Sequence, residues 1–181
     1  QGWSISGYDT DRAPGQSIVT TRLLIENNLM QATAIESADG RGAILSNGCQ
    51  YTTIRHNTVL LPNVDSASLY MVASPKGRYL RYMNNIVQRE MIGDGVGLGT
   101  VGIASAFDDY EVTGNAMIGA VATYPSGNFY PANLAAVSFT NTAGAFASNN
   151  YTLSGASPYK NAATDGTDIG CDIAALNAAI A

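Results

Sequence analysis

The sequence predicts an all-β protein in which short parallel strands coil into a parallel β-helix, a solenoid of about five rungs with three strands per rung. One observation is a recurrent break, because an asparagine interrupts apolar, β-branched runs such as "TIRHNTVLL" at 53–61. A second is the spacing, since copies of this break return every 28 to 35 residues. A third is composition: charged residues make up only 13% of the chain, and glycine occurs 19 times. Strand patterns repeating at such a period indicate a solenoid, and the scarcity of charges disfavours amphipathic helices.

The repeat is carried by five asparagines, each of which has a short strand pattern before it and another after it. Copies two to five contain a further apolar stretch upstream, so each rung is expected to hold three strands. Those upstream strands are predicted at 42–49, 68–74, 101–107 and 135–141. The shared asparagines are Asn28, Asn57, Asn85, Asn115 and Asn150.

We interpret each asparagine as a corner of the coil. A corner often needs a residue with positive φ, which asparagine tolerates better than most residues. Side-chain amides stacked about 4.8 Å apart in neighbouring rungs would also bond to one another. The single histidine, His56, falls in the slot that the other copies fill with Asn27, Asn84, Gly114 and Asn149. This position favours a structural role for His56 over a catalytic one.

The alignment of the copies also predicts which side chains face each other across rungs. Ile25, Ile54, Tyr82 and Val112 share a slot that should point inward. In the outward slots, Arg81 should lie against Glu111 and Glu26 against Arg55. Opposite charges at adjacent positions favour this register, because like charges would oppose stacking.

Composition excludes several classes of function. The net charge is −5 and the nine Lys and Arg residues are scattered, which disfavours a nucleic-acid binder because such proteins need a concentrated basic face. The sequence contains no run of about 18 apolar residues, the length that a membrane-spanning helix needs. A structural zinc site is disfavoured by the single histidine and the absence of any Cys/His cluster.

The two cysteines, Cys49 and Cys171, are expected to be buried thiols, the alternative being one disulfide that ties the tail to the body.

The predicted organisation is a β-helix over residues 1–157 and a tail over 158–181 that covers its end. Within the tail, Asp172 is expected to cap a short helix over 173–180. No equivalent cover is recognisable near Gln1, so the sequence is consistent with the C-terminal portion of a longer protein. An uncovered end would allow end-to-end self-association. No signal peptide opens the chain, and a secreted protein would have lost its leader.

Four motifs of the chain share a recognisable pattern, namely "LLIENNLM", "YTTIRHNTVLL", "YLRYMNNIV" and "SPYKNAATDGTDIGCDI". In these motifs, over about residues 20–175, the chain resembles the secreted right-handed parallel β-helix proteins of the pectate-lyase-like superfamily. The resemblance implies a right-handed coil and a secreted or surface location, as in bacterial members. The superfamily includes polysaccharide lyases, polygalacturonases, tailspikes and adhesins, so the resemblance does not choose among activities.

No catalytic residue of that group can be assigned to this sequence. A lyase would need Ca²⁺ held by several carboxylates and an Arg or Lys base, but the acidic residues form no stacked cluster of three in the predicted register, and no other cofactor is indicated. The best candidate surface is an outward column able to bind sugars through stacked aromatic rings and carboxylates through arginines, although aromatic stacking that only protects a strand face is the favoured interpretation. Its substrate-binding candidates are Arg22, Tyr51, Tyr79, Arg81 and Asp109, with Arg78 and Lys76 beside them.

Two functions follow as hypotheses. One is a carbohydrate-active or carbohydrate-binding protein, lyase-like if it is an enzyme, whose partner is an acidic (uronate) polysaccharide. The alternative is a non-catalytic structural or adhesive β-helix protein, a component of a surface, fibre or filament. The aromatic loop "ATYPSGNFYPANL" at 122–134 is a second candidate binding element, although simple packing is the favoured interpretation.

Overall fold

The structure of the protein is a computed structural model that describes residues 3–6, 20–31, 43–61, 67–73, 75–88, 91–93, 96–143 and 149–180. It is mostly β, with three parallel sheets and two short helices. The first sheet contains β1 (Trp3–Ser6), β4 (Ile44–Asn47), β7 (Leu69–Val72) and β10 (Met91–Gly93), with an antiparallel β11 (Gly97–Leu98) at its edge. The second contains β2 (Leu24–Glu26), β5 (Gln50–Arg55), β8 (Arg78–Met83) and β12 (Tyr110–Thr113). The third contains β3 (Leu29–Gln31), β6 (Thr58–Leu60), β9 (Ile86–Gln88) and β13 (Ala116–Ile118).

The chain visits the three sheets in the same order in each repeat, so, except for β11, the strands of these sheets pair in parallel with their equivalents in the neighbouring repeats. The predicted register is confirmed where these strands pair: Arg81 is opposite Glu111, and Glu26 is opposite Arg55. The two ion pairs form at 3.5 and 2.8 Å between side-chain nitrogen and oxygen. The parallel, mostly β character is therefore confirmed, and it is consistent with a β-helix.

The predicted file of asparagines is confirmed for four of the five positions. The backbone N–H and side-chain Nδ2 of Asn57 both donate to Oδ1 of Asn85, at 3.0 Å each. Asn28 donates in the same way to Asn57, and Asn85 to Asn115. Asn57, Asn85 and Asn115 are completely buried, so this ladder satisfies polar groups that water cannot reach.

The left-handed residue of the corner is not the ladder asparagine but the residue before it. Asn27, His56, Asn84 and Gly114 have φ between 50° and 69°. These residue types either tolerate that region or, as glycine, adopt it freely. The prediction that the corner contains a residue with positive φ is therefore confirmed, but that residue directly precedes the ladder asparagine.

The fifth predicted rung is wrong. Asn115 donates its backbone N–H and Nδ2 to Oδ1 of Asn128, at 3.0 and 2.9 Å, so Asn128 fills the place expected for Asn150. The loop holding Asn128 pairs briefly with β13, where Phe129 N–H donates to the Asn115 carbonyl at 2.8 Å. Asn150 instead begins β15 (Asn150–Leu153), which is antiparallel to β14 (Phe139–Asn141).

Two predicted upstream strands are also corrected. Residues 101–107 are mostly helical, in α1 (Gly99–Ala106), and residues 135–141 contain a 3₁₀ helix (Leu134–Val137) before β14. The helix fits because Gly93 has no side chain: a Cβ there would lie 2.7 Å from the Cα of Gly102. Close approach of α1 to β10 buries Ile103 and Ala106 in the apolar interior, which offsets the poor helix propensity of a glycine-rich segment.

The apolar side chains form two clusters. The first receives residues from all three sheets and includes the four positions predicted to point inward, Ile25, Ile54, Tyr82 and Val112. The second lies on the other face of the third sheet, because alternate strand residues point to opposite faces. There, later residues of the chain pack against the sheet; the cluster comprises Leu60, Ile86, Ala116, Ile118, Val137, Tyr151, Leu153, Tyr159, Ala163 and Ile169.

The C-terminal segment packs along this outer face of the third sheet. The predicted helix is confirmed as α2 (Ile173–Ile180), and the Asp172 side chain accepts from Ala175 N–H at 3.0 Å as a cap. The division of the chain near residue 157, and a tail that covers the end of the coil, stay predictions. Cys49 and Cys171 are free thiols, as expected, but only Cys49 is fully buried and Cys171 is partly exposed. None of the helices in the described residues is long and apolar enough to cross a membrane.

Candidate functional site

The predicted column lies at a second corner, between the first and second sheets. Arg22, Tyr51 and Tyr79 each have positive φ, of 57°, 53° and 58°. The register continues this file to Asp109, since Tyr110 pairs with Leu80 and Leu80 with Thr52. The structure therefore brings together the residues that sequence reasoning grouped, as a corner and not as a flat strand face. Their role in binding a substrate stays a prediction.

The composition of this second corner is unusual for its backbone conformation. At the first corner, the left-handed positions hold asparagine, histidine and glycine. At the second, they hold an arginine and two tyrosines, whose side chains are not among the short polar types that bond locally at positive φ, so each carries a strain of about 1–3 kcal/mol. Strained residues that persist in a fold are a reason to examine their side chains for function.

The two tyrosines form an exposed stack, which we call the aromatic corner together with Arg22 and Arg78. The ring centroids of Tyr51 and Tyr79 are 4.5 Å apart and the planes are inclined by 16°. Tyr51 is 50% exposed and Tyr79 39% exposed. Adjacent strands are about 4.8 Å apart, so the register alone brings the rings into contact. The guanidinium carbon of Arg78 lies 5.3 Å from the centroid of Tyr79, within cation–π distance.

Cations beside the aromatic corner are held by carboxylates of the next repeat. Lys76 Nζ lies 3.5 Å from Asp108 and donates to the Ala104 carbonyl at 2.9 Å. Arg81 is paired with Glu111. All four of these side chains are exposed by about half, so each pair contributes only about 0.2–1 kcal/mol. A lysine or arginine already bound to a carboxylate is poorly placed to remove a proton from a sugar.

A second feature, missed by the sequence analysis, is a groove of about 680 Å³ where the C-terminal segment meets the first corner. Its wall includes His56, whose Nε2 lies 2.8 Å from Oδ2 of Asp165, a residue 109 positions later. The Nδ2 of Asn84 lies 3.3 Å from the same nitrogen. The predicted contact of His56 along the corner is thus present, but its shorter contact is to the C-terminal segment. Only the turn signal "TDG" in the sequence hinted that Asp165 occupies a defined position.

The carboxylates of this groove have structural partners. Asp168 pairs with Lys160 at 3.0 Å and accepts from Asn161 N–H, while Glu26 pairs with Arg55. Asp172 caps α2. Within the described parts of the chain, no group of three or more His, Cys, Asp or Glu side chains is arranged to hold a metal ion. Apart from the contact of Asp165 with His56, the carboxylates described in this groove are thus engaged in structural contacts.

Asp165 is held in its ionised form. The Thr167 hydroxyl and backbone N–H donate to its Oδ1 at 2.7 and 3.1 Å. These hydrogen bonds, with that of His56, lower the pKa of Asp165 to about 2. Since this is below the value of 3.8 for an unperturbed carboxyl, the stabilisation is present above pH 4 and is lost as the pH falls toward 2.

Asp165→Asn therefore tests this linkage. We expect the free energy of unfolding of the wild type to fall between pH 4 and pH 2 by more than that of the variant, because the variant has no carboxylate to protonate. Urea unfolding at half-unit steps of pH measures the difference. Parallel pH profiles for the two proteins would contradict the prediction.

The aromatic loop is mainly a packing element, as favoured above. Tyr124 is buried and its hydroxyl accepts from Met91 N–H at 3.0 Å. Phe129 packs edge-to-face on Tyr159 with centroids 5.7 Å apart. Tyr130 remains 48% exposed, which makes it a useful control for the aromatic corner.

Comparison of the chain with protein-family models, with curated proteins and with solved structures finds no match in any of the three. The resemblance to the pectate-lyase-like proteins therefore rests on the sequence motifs and the stacked parallel sheets.

Proposed function

We propose that this chain is a secreted or surface-exposed right-handed parallel β-helix of the pectate-lyase-like type that binds an acidic polysaccharide at its aromatic corner. The observation that carries the proposal is the exposed Tyr51–Tyr79 stack, built on left-handed backbone that would be less strained with other residues. A fold that keeps bulky side chains at such positions gains something from those side chains.

The chemistry of the corner fits a sugar acid. The apolar face of a sugar ring packs on an aromatic ring, and a guanidinium binds a carboxylate with two parallel hydrogen bonds. Arg22 precedes the tyrosine stack in the file, whereas Arg78 lies beside the stack, adjacent to Tyr79 in β8 and opposite Gln50. A uronate unit would then pack its ring on the exposed part of the tyrosine stack and place its carboxylate on one of the arginines.

Binding is a better fit than cleavage. A lyase has to neutralise the uronate carboxylate and remove the C5 proton with a base. Near the aromatic corner, Lys76 and Arg81 are each engaged by a carboxylate. We therefore propose a binding protein, with lyase activity as the outcome that would revise the proposal.

Binding measurements with a panel of polysaccharides test the proposal that the protein binds an acidic polysaccharide. Isothermal titration with pectate, alginate and a glycosaminoglycan is expected to detect at least one complex, whereas neutral glucans should give none. Absorbance at 235 nm, with and without Ca²⁺, should stay constant during incubation. A rise at 235 nm would establish a lyase, and absence of binding to the whole acidic panel together with filaments in electron micrographs would favour the structural alternative.

A further inference from the structure

The C-terminal segment 157–172, which we call the strap, is attached to the body through the left-handed column of the first corner. Asp172 N–H donates to Oδ1 of Asn27 at 2.7 Å. Thr164 N–H donates to Oδ1 of Asn84 at 3.0 Å, and Nδ2 of Asn84 donates back to the Thr164 hydroxyl at 3.0 Å. His56, between these two asparagines in the column, contacts Asp165. Three successive repeats thus use the same slot to bind one strap.

Backbone groups reinforce this attachment. Gly170 N–H donates to the Asn84 carbonyl at 2.9 Å, and Cys171 N–H donates to the Thr58 hydroxyl at 3.1 Å. Apolar side chains of the strap itself, those of Tyr159, Ala163 and Ile169, pack on the apolar outer face of the third sheet. Detachment of the strap would therefore expose an apolar sheet face as well as its own amides.

Only one of the three column positions can change its charge. Asn27 and Asn84 are neutral at every pH, whereas His56 is the single histidine of the chain. The His56 side chain is 14% exposed and lies in the wall of the open groove, so protons have access to it. Its contact with Asp165 is a hydrogen bond when the imidazole is neutral and an ion pair when the imidazole is protonated, and the ion pair is the stronger of the two.

We propose that His56 and Asp165 form a pH-dependent clasp that holds the strap more tightly on the body under mildly acidic conditions. On this proposal, the attachment of the strap changes with pH, whereas the three parallel sheets do not change.

The charges around His56 also favour tighter binding of the strap when the imidazole is protonated. From the first repeat, Glu26 lines the groove, partly neutralised by Arg55 of the second repeat. From the strap, Asp168 is paired with Lys160, and Asp172 lines the same wall. The third repeat contributes Asn84, which is neutral. Burial raises the pKa of the Cys171 thiol, so this group stays uncharged. A protonated imidazole therefore enters a groove with an excess of negative charge.

Hydrogen exchange measured by NMR at pH 5 and pH 8 tests the clasp in the full chain. The four reporters are the strap amides bound to the body, those of Thr164, Gly170, Cys171 and Asp172. After correction for intrinsic exchange rates, we expect their protection to be about two- to fivefold higher at pH 5, in keeping with the modest free energy of a partly exposed ion pair. The amides of Asn57 and Asn85, which belong to the buried ladder, should show no such change.

His56→Asn is the matched variant, because asparagine already occupies this slot in the neighbouring repeats and tolerates its φ of 50°. We expect the pH dependence of the four reporters to disappear in this variant and in Asp165→Asn, while the ladder amides stay protected. Equal protection at both pH values in the wild type would overturn the proposal. So would a pH dependence that persists in His56→Asn, or one shared by the ladder amides, because the body and not the strap would then be responding.

Discussion

Replacing Tyr51 and Tyr79 together by asparagine is expected to weaken polysaccharide binding at least tenfold and to change the free energy of unfolding by less than about 1 kcal/mol. The binding loss follows from removal of the only stacked ring pair among the described residues at the proposed site, and a tenfold change corresponds to about 1.4 kcal/mol. The small stability change reflects two opposing terms. Loss of the stack costs about 0.5–1.5 kcal/mol, whereas asparagine relieves part of the strain of positive φ.

The measurements are isothermal titration with the acidic polysaccharide that binds best and urea unfolding of the same preparations. Tyr130→Asn serves as the control, since Tyr130 is as exposed as Tyr51 but lies in the loop after β13. It should bind like the wild type. If the double variant binds with unchanged affinity, the aromatic corner is not the binding site, and the tyrosines serve only to cover the corner.

The largest loss of stability is expected from Asn85→Ala. The Asn85 side chain accepts from the backbone N–H and Nδ2 of Asn57 and donates to Asn115 and to the Ile54 carbonyl. Alanine removes these bonds and leaves several buried polar groups unsatisfied, each costing about 1–3 kcal/mol. We expect the free energy of unfolding to fall by about 3–5 kcal/mol, measured by urea unfolding.

Asn150→Ala is the matched control for the ladder. The repeat pattern treats Asn150 as equivalent to Asn85, but the structure gives its exposed side chain a local bond, from Thr152 N–H at 3.0 Å. Its replacement should cost about 1 kcal/mol or less. If Asn85→Ala yields no folded protein, Asn28→Ala, at the partly buried first position of the ladder, should show an intermediate loss. Similar losses for Asn85→Ala and Asn150→Ala would contradict the ladder as described.

The first four repeats, apart from the upstream strand of the fourth, were predictable because their information is local and periodic. Strand alternation, charge complementarity and the asparagine spacing each depend on residues that lie at equivalent positions in adjacent repeats, and all three agree on one register. The pairing of Arg81 with Glu111 and the burial of Tyr82 follow from that register. The same reasoning placed Arg22, Tyr51, Tyr79 and Asp109 in one file.

The remaining elements depend on contacts between residues that do not occupy equivalent positions in the repeat, so the repeat pattern does not predict them. Asn128 joins the ladder from a loop only 13 residues after Asn115, so a search for spacings near 29 passes over it. The segment at 101–107 has β-type composition, but its burial against β10 makes it helical. The contact between His56 and Asp165 spans 109 residues. A left-handed tyrosine is likewise not anticipated from propensity, because propensity disfavours it.

The loop residue at the end of the ladder has a structural consequence for the architecture as a whole. Asn128 offers Asn115 the same acceptor that each ladder asparagine offers the one before it. The last repeat is therefore hydrogen-bonded as if another repeat followed it. The closing loop thus ends the ladder through the Asn128 amide and through backbone hydrogen bonds of Gly127, Phe129 and Pro131 to the last repeat. We therefore expect a loop that supplies this acceptor to end a ladder of any number of repeats.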